Sequence, residues 1–217
     1  MIPDKLLTVF REHVPDAFLL DWYALIQKAY PEAYKYAYGN YLPRQAEGVL
    51  GVHRRAVIEE SLIDIVRRYP GMKVYERKSK RNSHNYVEVR AGRVVMTESR
   101  LQYRNLQLRS ADFRDQYALT LQHTLKEIRE DMVIEDGAVF AALIHGPQMN
   151  ERLQLDWSQC GFQFVGFPSI KFRSWLATMD LVPEFGVRAA TRSVEAEKIE
   201  NNLQPRIRRD KETGTGS

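Results

Sequence analysis

RNSHNYVEVRAGRVVMTESR, residues 81–100, decides the fold. On either side of Ala91-Gly92 the apolar residues recur with a period of two, the spacing of a β-strand with one buried face. Between them glycine supplies the positive φ that a tight turn requires, so the stretch reads as a β-hairpin. A two-residue loop at Ala91-Gly92 sets Arg90 opposite Arg93, Val89 opposite Val94, Glu88 opposite Val95, Val87 opposite Met96, Tyr86 opposite Thr97 and His84 opposite Ser99. The apolar face then carries Val87, Val89, Val94 and Met96. The other displays His84, Tyr86, Glu88, Arg90, Arg93, Thr97 and Ser99 as a polar, solvated face, with Val95 its one apolar member.

Outward from the hairpin, MKVYERK (72–78) is a further strand, and everything before Gly71 has helical spacing. Leu6, Leu7 and Phe10, then Phe18, Leu19, Trp22, Leu25 and Ile26, predict two short helices broken at Pro15-Asp16. Residues 43–69 predict a longer helix with Val49, Val52, Val57, Ile58, Leu62, Ile65 and Val66 on its apolar stripe, its start delayed by Gly48 and Gly51. Between them Tyr30, Tyr34, Tyr36, Tyr38 and Tyr41 crowd a segment expected to be a loop, either packed or serving as a protein interface. After the hairpin, Phe113, Tyr117, Leu121, Leu125 and Ile128 predict a helix over 110–131 that covers the sheet. GAVFAALIHGP (137–147) and CGFQFVGFPS (160–169) read as interior strands, and IKFRSWLATMDLV (170–182) as a last helix. The fold class is therefore α+β. A helical N-terminal region (1–71) precedes a mostly antiparallel sheet of four or five strands with covering helices (72–187), and a polar, charged tail follows (188–217).

Length and composition suit such a fold: 217 residues bury a core without staples, and 44% hydrophobic content argues against wholesale disorder. One cysteine, Cys160, makes no internal bridge, and no signal-peptide pattern or apolar run near about 20 residues occurs, so a soluble cytoplasmic protein with no membrane partner is expected. The charge is uneven. Residues 73–114 hold 11 Lys and Arg against 4 Asp and Glu, whereas residues 1–72 balance at 9 of each. Such a local excess attracts phosphate backbones or acidic proteins.

Motifs exclude several chemistries. His13, His53, His84, His123 and His145 are scattered without HExxH or paired CxxC, so neither a metal nor another cofactor is expected. No phosphate-cradling GxxxxGK[ST] or GxGxxG occurs either. Glu59, Glu60 and Asp64 share a helix with Arg54, Arg55, Arg67 and Arg68, which favours a solvated charged face over a metal site.

Three readings follow. In the first, a non-catalytic binding or regulatory protein grips nucleic acid, RNA or DNA, or an acidic partner through Arg77, Lys78, Lys80, Arg81, Tyr86, Arg90, Arg93, Arg100 and Arg104. In the second, a metal-independent ribonuclease of toxin type uses Glu88 as base, His84 as acid and Arg90 with Arg93 as clamp for the charge that develops on phosphorus. In the third, the tyrosine-rich segment makes the chain a subunit of a homo-oligomer or of an assembly with an operon-encoded partner. His145, ending an apolar strand beside Gly146-Pro147, is a second candidate site residue, weighed against a satisfied turn histidine.

Overall fold

The computed structural model describes residues 2–79, 85–108, 138–169, 172–183 and 185–186. Its fold is α+β: three helices lie on one face of a six-stranded mixed sheet. Helix α1 spans Ile2–His13, α2 Asp16–Asn40 and α3 Pro43–Arg67. The strands β1 (Met72–Lys78), β2 (Asn85–Ala91), β3 (Val94–Arg100), β4 (Val139–Met149), β5 (Leu155–Pro168) and β6 (Trp175–Asp180) lie side by side in chain order. Every neighbouring pair is antiparallel except β3 and β4. A parallel pair needs a long crossover connection, and the chain between Arg100 and Val139 provides one. The expected helix over 110–131 falls within that connection, and it and the 188–217 tail lie outside the described residues. Among the described residues no helix is long and apolar enough to cross a membrane.

The N-terminal expectations change in three respects. The second helix does not stop before the tyrosines: α2 runs 25 residues, through Pro31, to Asn40. Its buried row, Phe18, Trp22, Ile26, Ala29, Ala33 and Ala37, keeps the 3.6-residue period and thins to alanine where α2 meets Ala46 and Leu50 of α3. Helix α3 begins at Pro43, because proline suits a first turn and Gly48 and Gly51 are tolerated within it. Its buried row is Ala46, Leu50, Arg54, Ile58 and Leu62, every fourth residue, while Val52 points to solvent.

The sheet differs too. It has six strands because residues 175–180 form edge strand β6 on β5, where a helix over 170–182 was expected. Ala177 and Met179 alternate with Thr178 and Asp180, so one edge faces the core, and pairing with β5 overrides the helical spacing. The β2–β3 turn is Gly92-Arg93, one residue later than expected, with Gly92 at φ 53° and Ala91 opposite Val94. Val89 therefore faces Met96, and Glu88 faces Thr97. A shift of two in partner numbers preserves the side-chain alternation, so the two face assignments stand.

Val87, Val89, Ala91, Val94, Met96, Val139, Ala141, Leu143, Val165 and Phe167 pack beneath the helices. On the far face Phe140, Ala142, Ile144, Phe162 and Phe164 form a second core with Leu101, Leu108 and Phe172. Strand β4 is thus apolar on both sides, as its continuous VFAALI run requires. The expectation of a solvated polar face is corrected accordingly: on that far face Glu88, Val95, Thr97 and Ser99 are all buried.

Candidate anion-binding sites on the two faces of the sheet

The far face of β1 and β2 is an ordered grid. Register places Lys73 opposite Arg90, Tyr75 opposite Glu88 and Arg77 opposite Tyr86, with rows about 7 Å apart along the strands. Glu88, 1% exposed, anchors the grid. Its Oε1 accepts from Arg90 Nε at 2.6 Å and from Arg77 Nη2 at 3.4 Å. Both arginine side chains stay more than 40% exposed. Their guanidinium carbons lie 4.8 Å (Arg77) and 5.4 Å (Arg90) from the Tyr75 ring centroid, within cation–π range. Tyr75 and Lys73, which the sequence reading did not single out, complete this cationic and aromatic surface.

The other described residues expected in the same grip are dispersed. Lys80, Arg81 and His84 lie outside the described residues. Lys78 is exposed at the end of β1, opposite Asn85. Arg93 sits in the β2–β3 turn, where its carbonyl accepts from Val139 N. Arg104 pairs with Asp180, whose hydrogen bond holds the guanidinium pKa above its ordinary value, and lies 5.6 Å from the Phe164 ring. Arg100 projects from the opposite face. Among the described members of the candidate ribonuclease set, Glu88 and Arg90 come together.

On the helix side β3, β4 and β5 bring a different polar group under α2 and α3. Residues 98 and 100 of β3 lie beside 143 and 145 of β4, and His145 lies beside Gln163 of β5. His145 is 1% exposed. Its Nε2 is 2.7 Å from Glu98 Oε1 and its Nδ1 2.9 Å from the Tyr30 hydroxyl. A carboxylate only accepts, so Nε2 carries a proton toward Glu98, and in the neutral ring Nδ1 accepts from the Tyr30 hydroxyl. Burial raises the Tyr30 pKa well above the ordinary phenol value, which keeps that hydroxyl a donor. His145 is thus a satisfied core histidine as well as the centre of a tyrosine–histidine–glutamate relay.

Arg54 crosses this cluster. It is 1% exposed, its guanidinium lies 4.0 Å over the Tyr30 ring, and Nη2 donates to the Trp157 carbonyl. Burial lowers its pKa, and the positive charge of Arg100 lowers it further. The expected solvated face of α3 therefore includes one deeply buried cation; Arg55 pairs with Glu59 in a partly buried contact and Arg67 with Asp64 in an exposed one. The only trace of Arg54 in the sequence is its place in a row of every fourth residue that is otherwise Ala, Leu, Ile and Leu. Cys160 lies near this group; burial pushes its thiol up to about 11, so it is an inert hydrogen-bonded thiol rather than a nucleophile.

The tyrosines divide. Tyr30 is core, whereas Tyr34 stacks on Tyr38 at 4.4 Å, and Tyr36 stacks on His53 at 3.9 Å and lies 6.3 Å from Tyr41. Tyr36, Tyr38 and Tyr41 remain exposed. No group of three or more His, Cys, Asp or Glu that would hold a metal occurs among the described residues. The chain matches no family model, no curated protein and no solved structure.

Proposed function

We propose that this chain is a non-catalytic binding protein that grips single-stranded nucleic acid across the far face of β1 and β2. The observation that carries the reading is the pair of half-exposed guanidinium groups held over Tyr75 by a buried Glu88. Anchoring by one carboxylate removes rotamer freedom from both arginines before a ligand arrives, which lowers the entropic cost of binding. Among the described residues Lys73, Arg77 and Arg90 outnumber Glu88 on this grid, and an aromatic ring among cations suits stacked bases as well as phosphates. An acidic protein would use the charge but not the ring. Glu88 serves two arginines at once, which supports an anchoring role over proton abstraction.

The test is fluorescence anisotropy with labelled single-stranded RNA, single-stranded DNA and an acidic peptide. Arg77→Ala and Tyr75→Ala should each weaken nucleic-acid binding, by about 10-fold for a lost stacking ring. Equal affinity for the acidic peptide, or indifference to both substitutions, would refute the reading.

A further inference from the structure

We propose that the cleft between the first half of α3 and the start of β5 binds a small organic phosphate, with Arg54 and Arg100 as the receptors for its anion. This site lies on the helix side of the sheet and stands independently of the nucleic-acid grip.

Arg54 is the strongest sign. Its Nε and Nη1 are buried without a hydrogen-bond partner, while Nη2 donates to the Trp157 carbonyl and the guanidinium lies over the Tyr30 ring. Among the described residues no carboxylate forms an ion pair with Arg54 or Arg100. The charged neighbour that most affects Arg54 unfavourably is Arg100, a second cation. A buried guanidinium without a counter-ion is costly, and two together are costlier. In the α3 row Ala46–Leu50–Arg54–Ile58–Leu62 a leucine would fill the position without that cost. An oxyanion between the two forks would satisfy both groups.

Arg100 lies close against Gly51, where a Cβ would come within 3.2 Å of Arg100 Nη1 and crowd the guanidinium. The two guanidinium carbons lie 5.8 Å (Arg54) and 5.1 Å (Arg100) from the centroid of the same Trp157 ring. That ring and Arg100 line an open cleft of about 550 Å³, walled also by Tyr38, Glu47, Gly48 and Leu50. The volume is in the range of small-molecule sites. The cleft therefore contains one of the two cations, the exposed Arg100, with Glu47 also at its wall, and adjoins the other, Arg54. Tyr38, Leu50 and Trp157 offer apolar area to the organic part, and Glu47 at the wall accepts from a hydroxyl or amine. These contacts favour a phosphate monoester over phosphate itself, and the three terminal oxygens of a phosphate can meet two forks at once where a carboxylate has only two oxygens.

Isothermal titration of the full chain with phenyl phosphate, inorganic phosphate and benzoate tests this. Phenyl phosphate should bind one-to-one, at least about tenfold more tightly than either other probe, because each comparison removes one class of contact. Arg100→Gln, a surface change that leaves the core intact, should weaken phenyl phosphate about tenfold or more, and Arg54→Met should do the same. Arg77→Ala, on the far face, should leave this binding unchanged. No binding of phenyl phosphate, binding equal to that of benzoate, or full binding by Arg100→Gln would each overturn the proposal. Should Arg54→Met not fold, Arg100→Gln decides the matter alone.

Discussion

Replacing Glu88 by glutamine separates anchoring from chemistry. The carboxylate is buried and holds Arg90 at 2.6 Å and Arg77 at 3.4 Å. A charge-assisted hydrogen bond is worth about 1.5–3 kcal/mol and a neutral one about 0.5–1.5, so an amide oxygen in the same place loses about 1–1.5 kcal/mol at the short contact. The longer contact adds about 0.5 kcal/mol at most, and the half-exposed arginines rehydrate rather than being stranded. The expected loss is about 1–2 kcal/mol, which in a chain of this length lowers the melting temperature by about 2–8 °C. The same change raises the net charge of the grid by one. At about 7 Å in water a unit charge contributes about 0.6 kcal/mol per phosphate, or about threefold in affinity. Glu88→Gln should therefore melt earlier yet bind single-stranded nucleic acid as well as the parent or up to about threefold better at low salt, by calorimetry and anisotropy on one sample. A folded variant that loses binding more than about tenfold would place the carboxylate itself at the ligand and refute the anchoring argument.

Other consequences are local. Tyr30→Phe removes the donor to His145 Nδ1 and leaves that nitrogen buried and unpaired, so stability should fall by about 1–3 kcal/mol in urea denaturation. Gly146→Ala places a Cβ against the Phe162 ring and 2.5 Å from the Leu101 carbonyl, so overpacking should cost about 1–3 kcal/mol or more in the same assay. The thiol of Cys160, pushed up to about 11, should react with a disulfide reagent at pH 8 far more slowly in the folded chain than in urea. Its proton is held more tightly in the folded state than at the ordinary value of 9.0, so its contribution to stability is complete below pH 9 and is lost as pH rises through about 11.

The face pattern of the hairpin was legible because alternation depends only on neighbours along one strand. Its turn was not, since Ala91-Gly92 and Gly92-Arg93 both offer a glycine for the positive φ. The choice falls to Ala91, which gains burial opposite Val94. The covering of the far face was equally hidden. Glu88, Thr97 and Ser99 are the residues of a wet strand, and their burial belongs to a second core in which Leu101, Leu108 and Phe172 come from elsewhere in the chain. Strand β6 shows the same dependence: Trp175, Met179 and Val182 satisfy helical spacing, and only a partner strand decides otherwise. Arg54 escaped because an arginine between His53 and Arg55 on a charged helix reads as solvated, and its burial follows from the packing of α3 against α2 and from Trp157.

The central claim is that β1 and β2 present an electrostatic grip, and its direct measure is the salt dependence of binding to labelled single-stranded RNA. Three cations, Lys73, Arg77 and Arg90, meeting three phosphates give a slope of about −2 in log K against log salt. Arg77→Ala should reduce that slope by about 0.7. A slope indistinguishable from zero, or one that Arg77→Ala leaves untouched, would contradict the account.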